Sequence, residues 1–350
     1  MTDDPIDAVI RLMRARVEGL QGPGGALVRR MLSHHLGWEV RQARAMGERA
    51  AEPAAEPAIT PAGKMVRPRL CLLACQAVGG DPDAAVPAAA AIEFIHNFSL
   101  IHDDIEDRDE IRRGRPTVWK LWGEAQAINA GDCIYSLGFA ALSKLEAAKV
   151  ETARRLRAVA ILSDATVRLC EGQTHDVALQ GQEEISEAEY LDLVGRKTGA
   201  VMSAAAEMGV LLGGASDELA SAFRGFGMQL GVAFQIRDDI LGIWGEPEKT
   251  GKPVGADLSR KRCSYPVIWG LAHASGRERG AILAIRGEAS EAALAHAVAA
   301  LEGMGARHRA EELAAEMHGR ARSALEGLEL EPRAAQELRQ LTEFLTSRQH

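Results

Sequence analysis

Six carboxylates, Asp103, Asp104, Glu106, Asp107, Asp109 and Glu110, fall within eight residues directly after the apolar run AAAAIEFIHNFSLI. Two carboxylates about 5.5 Å apart repel by roughly 3 kcal/mol at an effective dielectric near 20, so several such pairs would consume a sizeable share of a domain's stability. A solvated helix face is the ordinary explanation of a charge run. Here the apolar residues upstream commit the same helix to the interior, and the acids need positive charge beside them.

Apolar residues recur at three- and four-residue intervals through most of the chain, as with Leu294, Val298 and Leu301, and with Leu338, Leu341 and Leu345. No convincing alternating strand appears, and the Ala, Leu, Glu and Arg content favours helix. Breakers at GPGG (22–25), GGDPD (79–83) and GEPEKTGKPVG (245–255) separate the helices, and the Pro-Ala segment EPAAEPAITPAGK (52–64) reads as a linker. With no tandem repeat and no second composition regime, the expectation is a single all-α domain over residues 1–350, with 1–62 a more variable helical part.

The formal net charge of −8 and dispersed basic residues give no footprint for nucleic acid, which points to a small-molecule partner. The acidic N-terminus lacks the regions of a signal peptide, and charges at Glu93, Asp132 and Glu207 interrupt the apolar stretches, so a cytoplasmic protein without an integral membrane segment is expected. Cys71, Cys75, Cys133, Cys170 and Cys263 show no zinc-type spacing and read as reduced, buried thiols. GEPEKTGKP looks like a phosphate-binding loop but fails, because five residues separate its glycines and Pro253 stands where Ser or Thr is required.

A helix over 86–108 would stack Asp103 and Asp107 on one face at i and i+4, with Asp104 about 100° round the turn. All candidate ligands are oxygens, which suits magnesium, an ion that keeps one or two carboxylates and fills its shell with water and phosphate oxygens. Arg112 and Arg113 follow directly, where guanidinium groups could take the outer oxygens of that phosphate. A second acidic pair, Asp238 and Asp239, ends another apolar helix and is followed by Lys252, Asp257, Lys261 and Arg262. Two such acidic ends could clamp one polyphosphate.

These residues resemble the trans-isoprenyl diphosphate synthases, or polyprenyl synthetases, from about Gly63 onward. GKMVRP is similar to the family's first basic motif, HNFSLIHDDIEDRDEIRRGRPTV to its first aspartate-rich motif, and FQIRDDILG to its second. AGD at 131, EGQTHD, KTG and TGKPVGADLSRKRCSYP fall between and after them in the family's order. The resemblance implies an all-α isoprenoid synthase bundle around a deep central cavity, a homodimer, and closest likeness to geranylgeranyl diphosphate synthases. It also implies a reaction: an allylic diphosphate ionises with the help of three Mg2+ ions (Mn2+ the alternative), and isopentenyl diphosphate attacks the cation.

Carried over by position, the resemblance makes Asp103, Asp107 and Asp238 direct metal ligands, with Asp104 and Asp239 supporting them directly or through water. Arg112, Lys197, Lys252 and Arg262 hold the allylic diphosphate, while Gly63, Lys64, Arg67, His96 and Arg113 hold isopentenyl diphosphate. Thr198 and Gln235 present oxygens toward the cation. Phe98 and Ser99, just before the first motif, set chain length and point to the twenty-carbon product. The alternatives are a farnesyl or longer-chain synthase, a class I terpene cyclase and a non-catalytic partner subunit. Two positions depart from the pattern: Gly242 stands where the family often has a third aspartate, and Trp119 where a histidine is common.

Overall fold

The helix that carries the first acidic motif begins where Asp81 accepts a 3.0 Å hydrogen bond from the Asp83 N–H and Pro82 takes the first helical position. It runs Pro82–Glu106, four residues earlier at its start than the sequence predicts, and takes Pro87 into its second turn. Its end is a Schellman motif. Arg108 adopts a left-handed backbone (φ 56°), its N–H reaches the Ile105 carbonyl at 3.3 Å, and the Asp109 N–H reaches the Asp104 carbonyl at 2.9 Å. Asp107 is the cap residue and keeps right-handed helical geometry, so its stacking with Asp103 is retained.

A computed structural model describes residues 4–38, 65–245, 255, 258, 263–287 and 290–346. The described residues are helical almost throughout, as expected from the periodicity. Contacts divide the chain into two compact units, Met1–Leu162 with Met208–Ala215, and Ser163–Glu207 with Ser216–His350.

In the first unit, α1 (Pro5–Glu18), α2 (Gly22–His35), α3 (Val66–Ala77) and α4 (Pro82–Glu106) are followed by a two-stranded hairpin. Then come α5 (Val118–Trp122) and α6 (Glu124–Leu142). Helix α4 packs against α6, α3 and α1. Its Ile92, Phe94 and Ile95 are fully buried, each worth about 1.5–3 kcal/mol of apolar transfer. By length and composition α4 could cross a membrane, with mean hydropathy 1.4, but 67% of that window is buried inside the protein, as in a core helix.

The hairpin is an element the periodicity does not foresee. Ile111–Arg112 pairs antiparallel with Arg115–Pro116, and the turn residues Arg113 (φ 51°) and Gly114 (φ 72°) both have positive φ, the signature of a type I′ turn. Two-residue strands carry too little alternation to be read from sequence.

Helices α7 (Thr152–Leu179) and α9 (Ala200–Leu212) run from one unit into the other. The second unit holds α8 (Glu187–Val194), a π-helical turn (Gly195–Gly199) and α10 (Asp217–Trp244). It continues with α11 (Tyr265–His273), α12 (Gly276–Gly287), α13 (Glu291–Gly303), α14 (Ala306–Ser323) and α15 (Pro332–Thr346). Helix α8 starts in a capping box formed by Ser186 and Glu189. Helix α10 packs on α14, and its Ile236 and Ile240 share a core with Tyr190, Tyr265, Leu313 and Met317. In the C-terminal helices Leu301, Leu338 and Leu345 are buried, in line with their spacing, while Leu294, Val298 and Leu341 are partly buried.

Cys71 and Cys75 are core residues, but the expectation of buried thiols fails elsewhere: Cys133 and Cys263 are half-buried and Cys170 is exposed, and none of the five is in a disulfide. Residues 39–64, including the Pro-Ala segment, lie outside the described residues.

Candidate active site

In the first unit the acidic run separates into distinct environments. Asp103 and Asp107 are half-buried on the last turn of α4, whereas Asp104 is 1% exposed and accepts a 2.6 Å hydrogen bond from Arg112 Nε. Burial pushes the Asp104 carboxyl up to about 6, against the opposing pull of Arg112. The remaining acids have partners. Glu110 pairs with Lys120 at 2.6 Å, and Arg108, which follows Asp107, pairs with Glu124. Trp119, the departure from the family pattern, donates its indole N–H to the Asp109 carbonyl at 2.8 Å and offers its ring to Arg108 and Lys120. Arg112 at Asp104 and Lys120 at Glu110 thus supply positive charge that the sequence calls for beside the acids.

Behind the hairpin lies a buried polar cluster. Glu93 is 4% exposed; burial raises its carboxyl, while Arg67, Arg113 and the hydrogen bond from Asn97 oppose the shift. Asn97 Nδ2 donates to the Glu93 carbonyl at 2.8 Å and to Oε1 at 2.9 Å. Half-buried His96 sits in the field of Arg67, Arg113 and Arg112, and burial together with those cations holds its imidazole well below its usual value. The structure therefore brings Arg67, His96, Arg112 and Arg113 into one electrostatic neighbourhood. Glu93 and Asn97 were missed as site residues, although a carboxylate in an unbroken apolar helix is itself a signal.

Phe98 packs edge-on against His102 (4.9 Å between centroids) and against Tyr135 of α6 (5.2 Å), which in turn meets Phe139 at 5.2 Å. Ser99 donates to the His96 carbonyl at 2.9 Å. Gly131, of the AGD marker, makes room for His102: a Cβ there would lie 2.1 Å from His102 Nε2. Tyr135 extends the chain-length candidates beyond those read from sequence.

In the second unit Lys197 and Thr198 sit on the π turn, a feature common at functional sites. Lys197 Nζ donates to Asp176 Oδ2 of EGQTHD at 2.5 Å. The turn lies close to α7 because position 172 is glycine; a Cβ there would approach the Lys197 backbone nitrogen to 2.5 Å. From Thr198 a directed chain of hydrogen bonds runs inward. Its hydroxyl donates to Gln235 Oε1 at 2.9 Å, and Gln235 Nε2 donates to Asp239 Oδ1 at 3.0 Å. Asp239, 4% exposed, also accepts from Tyr190 OH at 2.7 Å and from the Tyr265 backbone N–H at 2.9 Å, both at Oδ2.

Asp238 is half-buried beside it, and Gly242 lies in the last turn of α10. Asp176 and Tyr265 lie within EGQTHD and TGKPVGADLSRKRCSYP, but their roles, like that of Tyr190, which lies in no motif, emerge only from the folded chain. Gly63, Lys64, Lys252 and Arg262 lie outside the described residues.

Each acidic motif, taken in its own unit, offers only oxygen donors at its half-buried positions, chemistry that suits a hard divalent ion such as magnesium. Among the described residues no group of three or more His, Cys, Asp or Glu side chains is gathered as a self-sufficient metal cage. An ion there would draw part of its shell from water or a bound phosphate.

The model of the polyprenyl synthetase family matches residues 48–301. A short chain isoprenyl diphosphate synthase of Methanothermobacter thermautotrophicus is 40% identical over 291 residues, 83% of this chain and 88% of that protein. A (2E,6E)-farnesyl diphosphate synthase of Mycobacterium tuberculosis is 42% identical over 252 residues, 72% of this chain and 66% of its own. Among solved structures, a polyprenyl synthetase from Streptomyces coelicolor A3(2) superposes with a TM-score of 0.83 at 33% identity, covering 97% of both chains. A polyprenyl synthase from Caulobacter crescentus, solved with calcium and isoprenyl diphosphate, gives 0.75 at 28% identity over 99% of this chain and 98% of that one. Other relatives are named for geranylgeranyl and geranylfarnesyl products.

Proposed function

This chain belongs to the polyprenyl synthetase family and is a prenyltransferase of the trans-isoprenyl diphosphate synthase type; on that premise we propose that it condenses isopentenyl diphosphate with an allylic diphosphate, to the twenty-carbon geranylgeranyl diphosphate. The observation that carries the reading is the sorting of the first motif. Asp103 and Asp107 are left half-buried on one face, while Asp104 is buried and bound to Arg112.

In this reading Asp103, Asp107 and Asp238 are the direct ligands of Mg2+. When bound, the ions, three in number, neutralise charge developing on the departing diphosphate. Asp104 and Asp239 act from behind: Asp104 orients Arg112 toward the allylic diphosphate, and Asp239 orients Gln235. Lys197, fixed by Asp176, holds the same diphosphate, with Lys252 and Arg262 assigned there from sequence. Thr198 donates its proton to Gln235, so its lone pairs are left to face the allylic cation. Arg67, His96 and Arg113, with Gly63 and Lys64, bind isopentenyl diphosphate, whose double bond attacks that cation. A proton then leaves the new chain to the departed diphosphate, and no protein nucleophile is required.

The aromatic group of Phe98, Tyr135 and Phe139 supports a cavity floor and a product of limited length. Both units act as one catalytic domain in this reading. In this reading the protein is a homodimer, which would give exposed apolar residues such as Ile128 and Leu156 (46% and 67% exposed) a place to be covered, and it works in the cytoplasm without nucleic acid. The test is to incubate purified protein with magnesium, isopentenyl diphosphate and each allylic diphosphate of five, ten and fifteen carbons, and to separate the products. Elongated trans-prenyl diphosphates ending at twenty carbons are expected. A cyclic hydrocarbon would make it a cyclase, and no turnover without another chain would make it a subunit.

A further inference from the structure

The end of α2 lies outside the stretch matched by the family model, residues 48–301, yet it is tied to the arginine-bearing hairpin and to the polar cluster beneath it. Arg115 donates to the carbonyls of His34 and, at 3.2 Å, of His35. His34 Nε2 lies 2.8 Å from the Pro116 carbonyl, which can only accept. His35, 7% exposed, reaches 62 positions along the chain to Asn97, with Nε2 3.2 Å from Oδ1.

The tautomer follows from the network. Asn97 Nδ2 donates to a backbone carbonyl at Glu93, which fixes the amide orientation and leaves Oδ1 as an acceptor toward the imidazole. His35 therefore carries its proton on Nε2. Burial and the charges of Arg113, Arg112 and Arg115 hold the ring well below its usual pKa, so it serves as a neutral donor.

We propose that His35 is a positioning residue for the pocket that takes isopentenyl diphosphate, an assignment that rests on the function proposed above. His35 fixes the Asn97 carboxamide, Asn97 fixes the Glu93 carboxylate at 2.9 Å, and Glu93 is the buried anion against which the guanidinium groups of Arg67 and Arg113 are set. Loss of the first donor frees the amide and then the carboxylate. The two arginines lose their fixed reference without any change at Asp103, Asp104 or Asp107.

The test compares H35L, which removes the donor, with H35Q, whose amide can still donate to Asn97. Steady-state kinetics with each substrate varied are read beside the thermal shift produced by isopentenyl diphosphate in EDTA. H35L should raise KM for isopentenyl diphosphate about tenfold, the loss of one buried hydrogen bond, with the allylic KM changed less than about twofold. Its metal-free thermal shift should disappear, and H35Q should restore both. Should H35L fold poorly, the same reading comes from H35N, which keeps the site polar but stops short of Asn97. An unchanged KM for isopentenyl diphosphate overturns the inference, as does equal impairment of H35Q, or a common fall in kcat and both affinities. A wild-type protein with no condensation activity overturns the function itself and this inference with it.

Discussion

The hydroxyl of Tyr190 donates a 2.7 Å hydrogen bond to Oδ2 of Asp239 across 49 positions of sequence. Asp239 is the inner carboxylate of the second acidic motif, and Tyr190 sits on α8 among Glu187, Glu189 and Asp192, where nothing in the local sequence points to a partner on α10. Replacing the phenol by Tyr190→Phe leaves a buried carboxylate short of one donor, at a cost of about 1–3 kcal/mol. The variant should melt several degrees lower, and kcat should fall about tenfold as Gln235 loses its fixed partner. Differential scanning calorimetry and a radiolabelled condensation assay check both.

Asp103→Asn and Asp107→Asn each remove one half-buried charge from the crowded acidic end of α4. Each should reduce kcat by about 10²–10³, the scale for losing one electrostatic contributor at a developing charge, while leaving the melting temperature unchanged or higher. Titration of activity against magnesium should show a raised half-saturation point. A variant with normal turnover would remove that residue from the metal site.

Phe98→Ala and Tyr135→Ala open the same aromatic stack from opposite helices. Both should shift products toward longer chains, and the pair together should do so further, as read by reversed-phase chromatography of the dephosphorylated alcohols. An unchanged distribution in both single variants would place the cavity floor elsewhere.

The raised pKa of Asp104 has a definite sign for stability. Its folded value of about 6 lies above the ordinary aspartate range, so between about pH 4 and 6 the folded state binds more protons than the unfolded chain. The contribution of this group therefore falls as pH rises through that window. In EDTA, the melting temperature of the wild type relative to Asp104→Asn should decline from pH 4 to pH 6 and level off above it. A difference that rises over the same range would contradict the assignment.

Burial pushes the Cys75 thiol up to about 12 and holds the Cys71 thiol well above its usual value, while Cys170 is exposed. Brief treatment with iodoacetamide at pH 8 should label Cys170 first. Cys71 and Cys75 should react only after unfolding, as peptide mass spectrometry would show.

What the sequence makes legible here is whatever depends on local spacing. Asp103 and Asp107 could be placed on one face because four residues make about one helical turn, and α4 was visible as an apolar run ending in charge. The hairpin at Ile111–Pro116 was not, since two residues per strand leave no period to detect. The π turn at Gly195–Gly199 has no compositional mark, because KTG is as compatible with an ordinary helix. Tyr190, Asp176 and His35 escaped for another reason: their partners lie 49, 21 and 62 positions away, and only packing brings them together.

The π turn also works as a phase shifter. One surplus residue in a helical path rotates everything after it by about 100°, so the direction in which α9 presents its side chains is inherited from Gly195–Gly199. Trimming a single residue there would leave composition and hydrophobicity almost untouched, yet it would turn the inward face of the next thirteen residues toward the wrong neighbours.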